Sequence, residues 1–502
     1  RAIAAVMPLC LACMIVFSIR NAGPRAASRL IAALGIIIGS ILASSALSHF
    51  LRAAFGSVPP FISTIAAAVH STVNAYGIPI GLALAVTIVF GAPIFTVIGG
   101  LAVILYVGSG QYIEMIPREA YALLKGGSIS ALPLFGIAGI MLAESGAGNR
   151  FVALFREFFG WFRGGEAIAA VLVCAFFSTF TGVNGVTIIA LGGILSGILV
   201  QSGGMAESRA RGLLTASGDI GLLIIPSAAL IVYGVNATFL YSYDSGFNLM
   251  SLIKGALVPG LLLIGAMCAA GVFFSPKSVS ETRRFDPKAA AGALKASALE
   301  LVVPIAAIVL YFTGQAGLRE IAAFCVLYIG IIEWAVKREF TVQSMVRTLG
   351  KALPIVGGTL IVIAAARGLS VYLIDADIPS LFASWMQTHI DSRFLFLLLV
   401  NLFLLLVGCL MDIFSAIIVV SPFLIPLGAA FGVDPVQFGV IFITNLLIGF
   451  LTPPVGMDIF LSSYVFKKPI PRIVKDVLPF LAVEFLVLIL VTYVPPLSHI
   501  LR

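Results

Sequence analysis

From Phe438 to Val465 the chain has an apolar run long enough to cross a bilayer, and within it lies the stretch Asn445 to Phe460, reading Asn-Leu-Leu-Ile-Gly-Phe-Leu-Thr-Pro-Pro-Val-Gly-Met-Asp-Ile-Phe. Pro453 and Pro454 remove two backbone donors and block regular helix, so nearby carbonyls lose their helical partners. In hydrocarbon such backbone is tolerated only where protein buries it or where it lines a polar cavity. A crossing helix broken at membrane depth therefore marks a site. The rest of the chain fits a membrane setting: of 502 residues 60% are hydrophobic and only 10% charged, which excludes a soluble multidomain protein. The net charge of +8 comes from Lys and Arg in short loops, where they set topology, and not from a basic face, so no nucleic-acid partner is expected. Six scattered cysteines, Cys10 and Cys13 among them, read as small buried side chains.

Taken in order, apolar runs at Ala2 to Ile19 and Leu30 to Leu51 bracket Arg20, Arg25 and Arg29, a basic loop that belongs in the cytoplasm. The first run lacks a signal-peptide cleavage pattern and reads as a retained span. An amphipathic connector is expected near Phe61 to Tyr76, then two short crossings meeting at Gly91-Ala92-Pro93. Asn149 to Arg163 spaces Phe151, Leu154, Phe155, Phe158, Phe159 and Phe162 as a basic helix lying along the membrane surface. Ala167 to Phe180 and Thr187 to Val200 are limbs of a re-entrant hairpin with its tip at Thr181 to Val186. Gly212 to Tyr233 is a crossing broken at Gly218 to Gly221 and at Pro226-Ser227. The most basic loop follows Phe274, and an acidic loop with Asp375, Asp377 and Asp391 follows Ile374. Phe394 to Val407 and Ile417 to Leu427 flank Cys409 to Ser415, a second hairpin tip. Glu144, Glu333 and Glu484 read as interfacial.

Ile220-Gly221-x-Leu223-x-x-Pro226 recurs as Ile448-Gly449-x-Leu451-x-x-Pro454, 228 residues later, and the same offset carries Asn184 onto Asp412 and the basic surface helix onto the acidic Asp377 to Asp391. Opposite charge places those two segments on opposite faces, so the repeat is inverted. Two hairpins entering from opposite sides, each paired with a broken helix, put polar tips and unwound backbone near the midplane, where amide donors suit an anion and carbonyls suit a hard cation such as Na⁺. The expected fold is an all-α polytopic membrane protein, an inverted repeat with two re-entrant hairpins and two broken transmembrane helices. Its segments are an N-terminal extension at 1–76, a first repeat at 77–275, a cytoplasmic basic loop at 276–298 and a second repeat at 299–502.

At these residues the chain resembles the large membrane (M) subunit of TRAP transporters. The resemblance rests on Asn445 to Phe460, Asp434-Pro435-x-x-Phe438-Gly439, Gly221 to Ser227, Thr181 to Thr187 and Leu132-Pro133-Leu134-Phe135 with the surface helix after it, and spans Gly77 to the C-terminus. It implies an elevator-type carrier of the ion-transporter superfamily in the bacterial or archaeal inner membrane. That carrier would take up an organic acid with Na⁺ as coupling ion, without ATP or other cofactor, served by a small membrane subunit and a periplasmic substrate-binding protein. Residues 1 to 76 lie outside the match, either the tail of a fused small subunit or an independent addition. The family's first tip has serines where Val183 and Asn184 stand, and two prolines where Ile225 precedes Pro226. In the second repeat it often has an acid at Leu447 and an asparagine at Asp458, and Leu447 maps by the offset onto Asp219. The acidic function has then moved from one half-site to the other.

Ionisable groups inside apolar segments are functional candidates by default. Thr181, Asn184, Arg367, Asp412 and Asp458 are the candidates for substrate. Those for Na⁺ are Ser178, Gly182, Asp219, Gly221, Pro226, Ser415, Asn445, Gly449, Thr452, Pro453, Pro454 and Gly456. Arg367 either binds a substrate carboxylate or snorkels toward Asp375 or Asp377. An intramembrane aspartyl protease is the competing enzyme reading, but Ala216 replaces the first glycine of its Gly-x-Gly-Asp, and Tyr243-Asp244 follows that position instead of preceding it. No enzyme is expected. A stand-alone ion-coupled carrier or a channel without a binding protein is the other alternative.

Overall fold

The structure is a computed structural model that describes residues 37, 39, 41, 44–87, 93–126, 129–182, 185–241, 246–276, 285–453 and 456–501. The expected span Ala2 to Ile19, the Gly91-Ala92 turn, Val183, Asn184, Tyr243-Asp244, Pro454 and Val455 lie outside them. Among the described residues the chain is helical throughout and divides into two compact units, residues 1–120 with 365–372, and residues 121–364 with 373–502.

In the first unit run α1 (Ser44–Phe55), α2 (Pro60–Val86), α3 (Ile94–Gly108) and the start of α4 (Met115–Leu124). Phe61 to Tyr76 is no separate connector. It is continuous with the following limb in one 27-residue helix, because its alanine-rich sequence supports helix and the interior Pro79 removes a single hydrogen bond without a second breaker beside it. Val73, Ile104, Tyr106, Val107 and Ile113 form this unit's core.

The second unit begins with α5 (Ala131–Glu144) and α6 (Ala147–Phe159), which meet at a 73° bend. Hairpin 1 follows as α7 (Gly165–Thr181) and α8 (Val186–Gln201). The first broken helix is α9 (Glu207–Ala216), a short turn at Ile220–Leu223 and α10 (Ala228–Leu240). Next come α11 (Leu249–Phe274), α12 (Pro287–Phe312), α13 (Leu318–Ile331) and α14 (Val342–Asp375), whose residues 365–372 group with the first unit. The surface helix α15 (Ile378–His389) leads into hairpin 2, α16 (Arg393–Leu410) and α17 (Ile413–Ala430). The second broken helix is α18 (Pro435–Gly449) and α19 (Met457–Phe466), and α20 (Ile470–Tyr493) closes the chain. Five of the described helices are long and apolar enough to cross a membrane, and two bent pairs add further spans.

The repeat holds helix by helix. Residues 165, 186, 207 and 228, where α7 to α10 begin, shifted by 228 become 393, 414, 435 and 456, and α16 to α19 begin at 393, 413, 435 and 457. Two expectations change. The basic loop expected at 276–298 is already helical from Pro287, since Asp286 caps the Lys288 N–H at 2.9 Å and proline suits a first helical turn. The phenylalanine stripe of α6 does not all face lipid. Phe151 is fully buried, its ring 4.2 Å from that of Phe176 on hairpin 1.

The polar side of α6 is tied down as well. Arg150 lies 2.8 Å from Glu300 on α12 and 3.1 Å from Glu333, and it also pairs with Glu339. The Gly146 N–H donates to Glu339 at 2.6 Å. Although partial desolvation works against it, the Glu339 carboxyl is held below its ordinary range by Arg150 and that amide. Its contribution is therefore in place at neutral pH and is lost as the pH falls through the acid range. Glu300 is 2% exposed, and removing Arg150 takes away its nearer cation and leaves only Lys337, 3.5 Å away. Arg150→Met is expected to destabilise the protein by about 3 kcal/mol, read as a lower unfolding temperature in detergent; an unchanged temperature contradicts the clamp.

Candidate functional site

Each half of the site is a hairpin tip laid against a broken helix. At the first, α7 ends at Gly182 and α8 starts after Gly185, both with positive φ (58° and 69°) that side chains rarely adopt. The break opposite supplies Gly221, whose N–H donates to Ser178 Oγ at 2.9 Å, while Thr179 Oγ1 lies 3.0 Å from the Gly221 carbonyl. A β-carbon on Gly221 would come within 2.1 Å of the Ala175 carbonyl oxygen, so only glycine lets hairpin and break approach this closely. The Gly185 N–H donates to Asp219 Oδ1 at 3.1 Å.

The second half repeats the plan with its own chemistry. Gly449, at the end of α18, sits against Gly408 of α16; a β-carbon on Gly449 would be 2.6 Å from the Gly408 Cα. The Gly456 N–H donates to the Cys409 carbonyl at 3.1 Å and so closes the break onto the tip. Asp412 is the N-cap of α17: its Oδ2 accepts from the Phe414 and Ser415 N–H groups, both at 3.1 Å, and its Oδ1 accepts from Ser415 Oγ. That carboxylate therefore occupies the helix N-terminus that would otherwise attract an anion. Thr452 Oγ1 donates back to the Ile448 carbonyl at 2.8 Å.

The structure brings Asp458 to the first half-site. Although it lies in the second repeat, its carboxyl comes to Gly185, the residue that also donates to Asp219, and the two acids are 1% and 4% exposed. Among the described residues, Asp458 Oδ1 and Asp219 Oδ2 accept no hydrogen bond. Thr215 of α9 and Ser462 of α19 are hydroxyl-bonded at 2.8 Å, and Gly185 packs on Leu461, so α19 is bound into the first repeat along its length. Glu484 corrects its interfacial reading. It is 2% exposed in the middle of α20, because the helix runs from Ile470 and leaves no end nearby.

The two tips share one cavity. A void of about 20 Å³ is bounded by Gly182 and Ala228 from the first half, Phe414 from the second, Pro133 and Gly136 of α5, and Val356 and Thr359 of α14. Pro226, Gly456 and Ser415 are buried around the breaks and tips, and Pro453 is exposed. The Thr181 side chain, Asn184 and Pro454 are outside the described residues. Arg367, in the other unit, pairs with Glu119 at 3.5 Å, a partner distinct from Asp375 and Asp377. Spacing does not single out Asn401, yet it is buried on α16 and hydrogen-bonded to Asn445 at 2.7 Å; an amide in the middle of the apolar run Phe394 to Val407 was the available signal.

Hairpins and broken helices duplicated at a fixed offset, with both tips at one cavity, define a polytopic membrane carrier. The family model for the DctM component of tripartite ATP-independent periplasmic transporters matches residues 75–497, and the chain belongs to that family. It is thus a multi-pass inner-membrane transport protein and not an enzyme. It is 30% identical over 414 residues to the isethionate TRAP transporter permease DctMQ of Oleidesulfovibrio alaskensis, across 82% of this chain but only 64% of that relative. It is 28% identical to the C4-dicarboxylate TRAP transporter large permease DctM of Rhodobacter capsulatus, across 77% of this chain and 89% of the relative. The fold is similar to the crystal structure of the Alcanivorax borkumensis YdaH transporter, with a TM-score of 0.52 at 15% identity over 74% of this chain and 86% of that one.

Proposed function

We propose that the chain is the large membrane subunit of a Na⁺-driven uptake system for a small organic acid, handed over by a periplasmic binding protein and assembled with a small membrane subunit. The observation that carries this reading is the pair of half-sites of one construction, each a hairpin tip packed against a broken helix, with residues of both hairpins, Gly182 and Phe414, at one void. Backbone carbonyls and hydroxyls at such breaks are the oxygen donors a hard monovalent cation takes. Residues 1 to 76 would then be either the tail of a fused small subunit or an independent addition. The two halves move as one body past a fixed scaffold in the elevator reading.

The test is uptake into proteoliposomes across a panel of radiolabelled organic acids. A Na⁺ gradient or its choline equivalent would be imposed, with and without the cognate binding protein. Accumulation that needs both is the expected result. Uptake indifferent to both supports a stand-alone carrier or channel and overturns the proposal.

A further inference from the structure

A ladder of buried amides runs beside the second half-site. Asn445 Nδ2 donates to Asn401 Oδ1 at 2.7 Å and to the Ile441 carbonyl at 2.8 Å. Asn401 Nδ2 in turn donates to Thr492 Oγ1 of α20 at 3.1 Å. Thr492 is held from its other side, since Gln437 Nε2 donates to its carbonyl at 2.9 Å, and Arg393, at the start of α16, donates to Gln437 Oε1 at 3.4 Å. Asn445 is fully buried, and among the described residues nothing donates to its Oδ1.

The orientation of that amide follows from chemistry. One terminal atom of Asn445 faces two oxygens, the Ile441 carbonyl and the Asn401 side chain, so it must be the nitrogen. A flip would set oxygen against a backbone carbonyl and strand the amide hydrogens. The oxygen of Asn445 is thereby committed to a direction in which the described residues supply no donor. Asn445 lies one turn before Gly449, on the same face of α18. There Gly449 packs against Gly408, seven residues along α16 from Asn401. A buried acceptor without a donor costs about 1–3 kcal/mol, a cost that a bound cation removes.

We propose that Asn401, held by Thr492, is a positioning residue: it fixes the Asn445 carbonyl oxygen toward a monovalent cation at the second half-site. This rests on the reading of the chain as Na⁺-coupled. Asn401 does not itself touch the ion. It sets the rotamer of the residue that does, as outer-shell partners do at metal sites.

The test uses full-length purified protein and reads its unfolding temperature as NaCl replaces KCl at constant ionic strength, alongside the Na⁺ dependence of uptake. Asn401→Val and Thr492→Val are expected to raise the half-saturating Na⁺ concentration about tenfold, with the larger effect at Asn401. Substrate KM at saturating Na⁺ stays at the wild-type value. Thr492→Ser keeps the acceptor hydroxyl and restores the wild-type midpoint; if Asn401→Val does not fold, the Thr492 pair carries the test. A wild type that responds to Na⁺ while both valine variants keep its midpoint within about twofold overturns the proposal alone. So does Thr492→Ser shifting as far as Thr492→Val. A wild type that does not distinguish NaCl from KCl overturns both this proposal and the sodium reading.

Discussion

Gly449→Ala is expected to lower uptake about a hundredfold. The new carbon would fall 2.6 Å from the Gly408 Cα and 2.9 Å from its carbonyl carbon, both backbone atoms that no rotamer change can move aside. Relief requires α16 and α18 to separate, which opens the second half-site. Overpacking of this kind costs about 3 kcal/mol where neighbours cannot yield, and that corresponds to about a hundredfold in the population of the closed site. Gly193→Ala is the control: a β-carbon there meets nothing within 4 Å, and its uptake stays at the wild-type level. Equal activity of the two variants would show that the Gly408–Gly449 contact does not constrain the site.

The second large effect belongs to Asp219. Asp219→Asn keeps the size of the side chain and an acceptor for the Gly185 N–H, so the protein is expected to fold and insert as the wild type does. What it loses is one of the two buried carboxyls in this half-site that can offer negative charge to a cation. A hydrogen bond to a charged group contributes about 1.5–3 kcal/mol. If the proposed sodium coupling holds, the half-saturating Na⁺ concentration should therefore rise by roughly tenfold or more. Asp219→Ala also leaves the Gly185 amide without its partner and should lose stability, seen as a lower unfolding temperature. Unchanged cation dependence in Asp219→Asn would mean that the acid at this position does not stand in for the one absent at Leu447.

How far such a site can be read from sequence depends on where each residue finds its partners. Both breaks and both tips were legible, because prolines and glycines inside apolar runs act on their own backbone. The 228-residue offset then located helix starts to within one residue. Asp458 was not legible in the same way. It is thirteen residues from Asn445 in the chain, but α19 crosses to the other half and delivers its carboxyl to Gly185, the residue that also donates to Asp219, a meeting that no local pattern encodes. Glu484 reads as interfacial in the sequence because Lys467, Lys468, Arg472 and Lys475 conceal a helix that already begins at Ile470. Asp412 stood out as an acid at membrane depth, and its three hydrogen bonds are all to residues within three positions of it.

The crossing of α19 into the first repeat also bears on how the chain is made. Hairpin 1 and Asp219 leave the ribosome more than two hundred residues before Asp458, Leu461 and Ser462, the side chains that complete their surroundings. At about 5–20 residues per second that interval is roughly 10–50 s. For that time the first half waits in the bilayer with an unmatched carboxyl and an open hairpin. Insertion of the first repeat is thus provisional, and the last helices act as the latch that commits the nascent carrier to its final form.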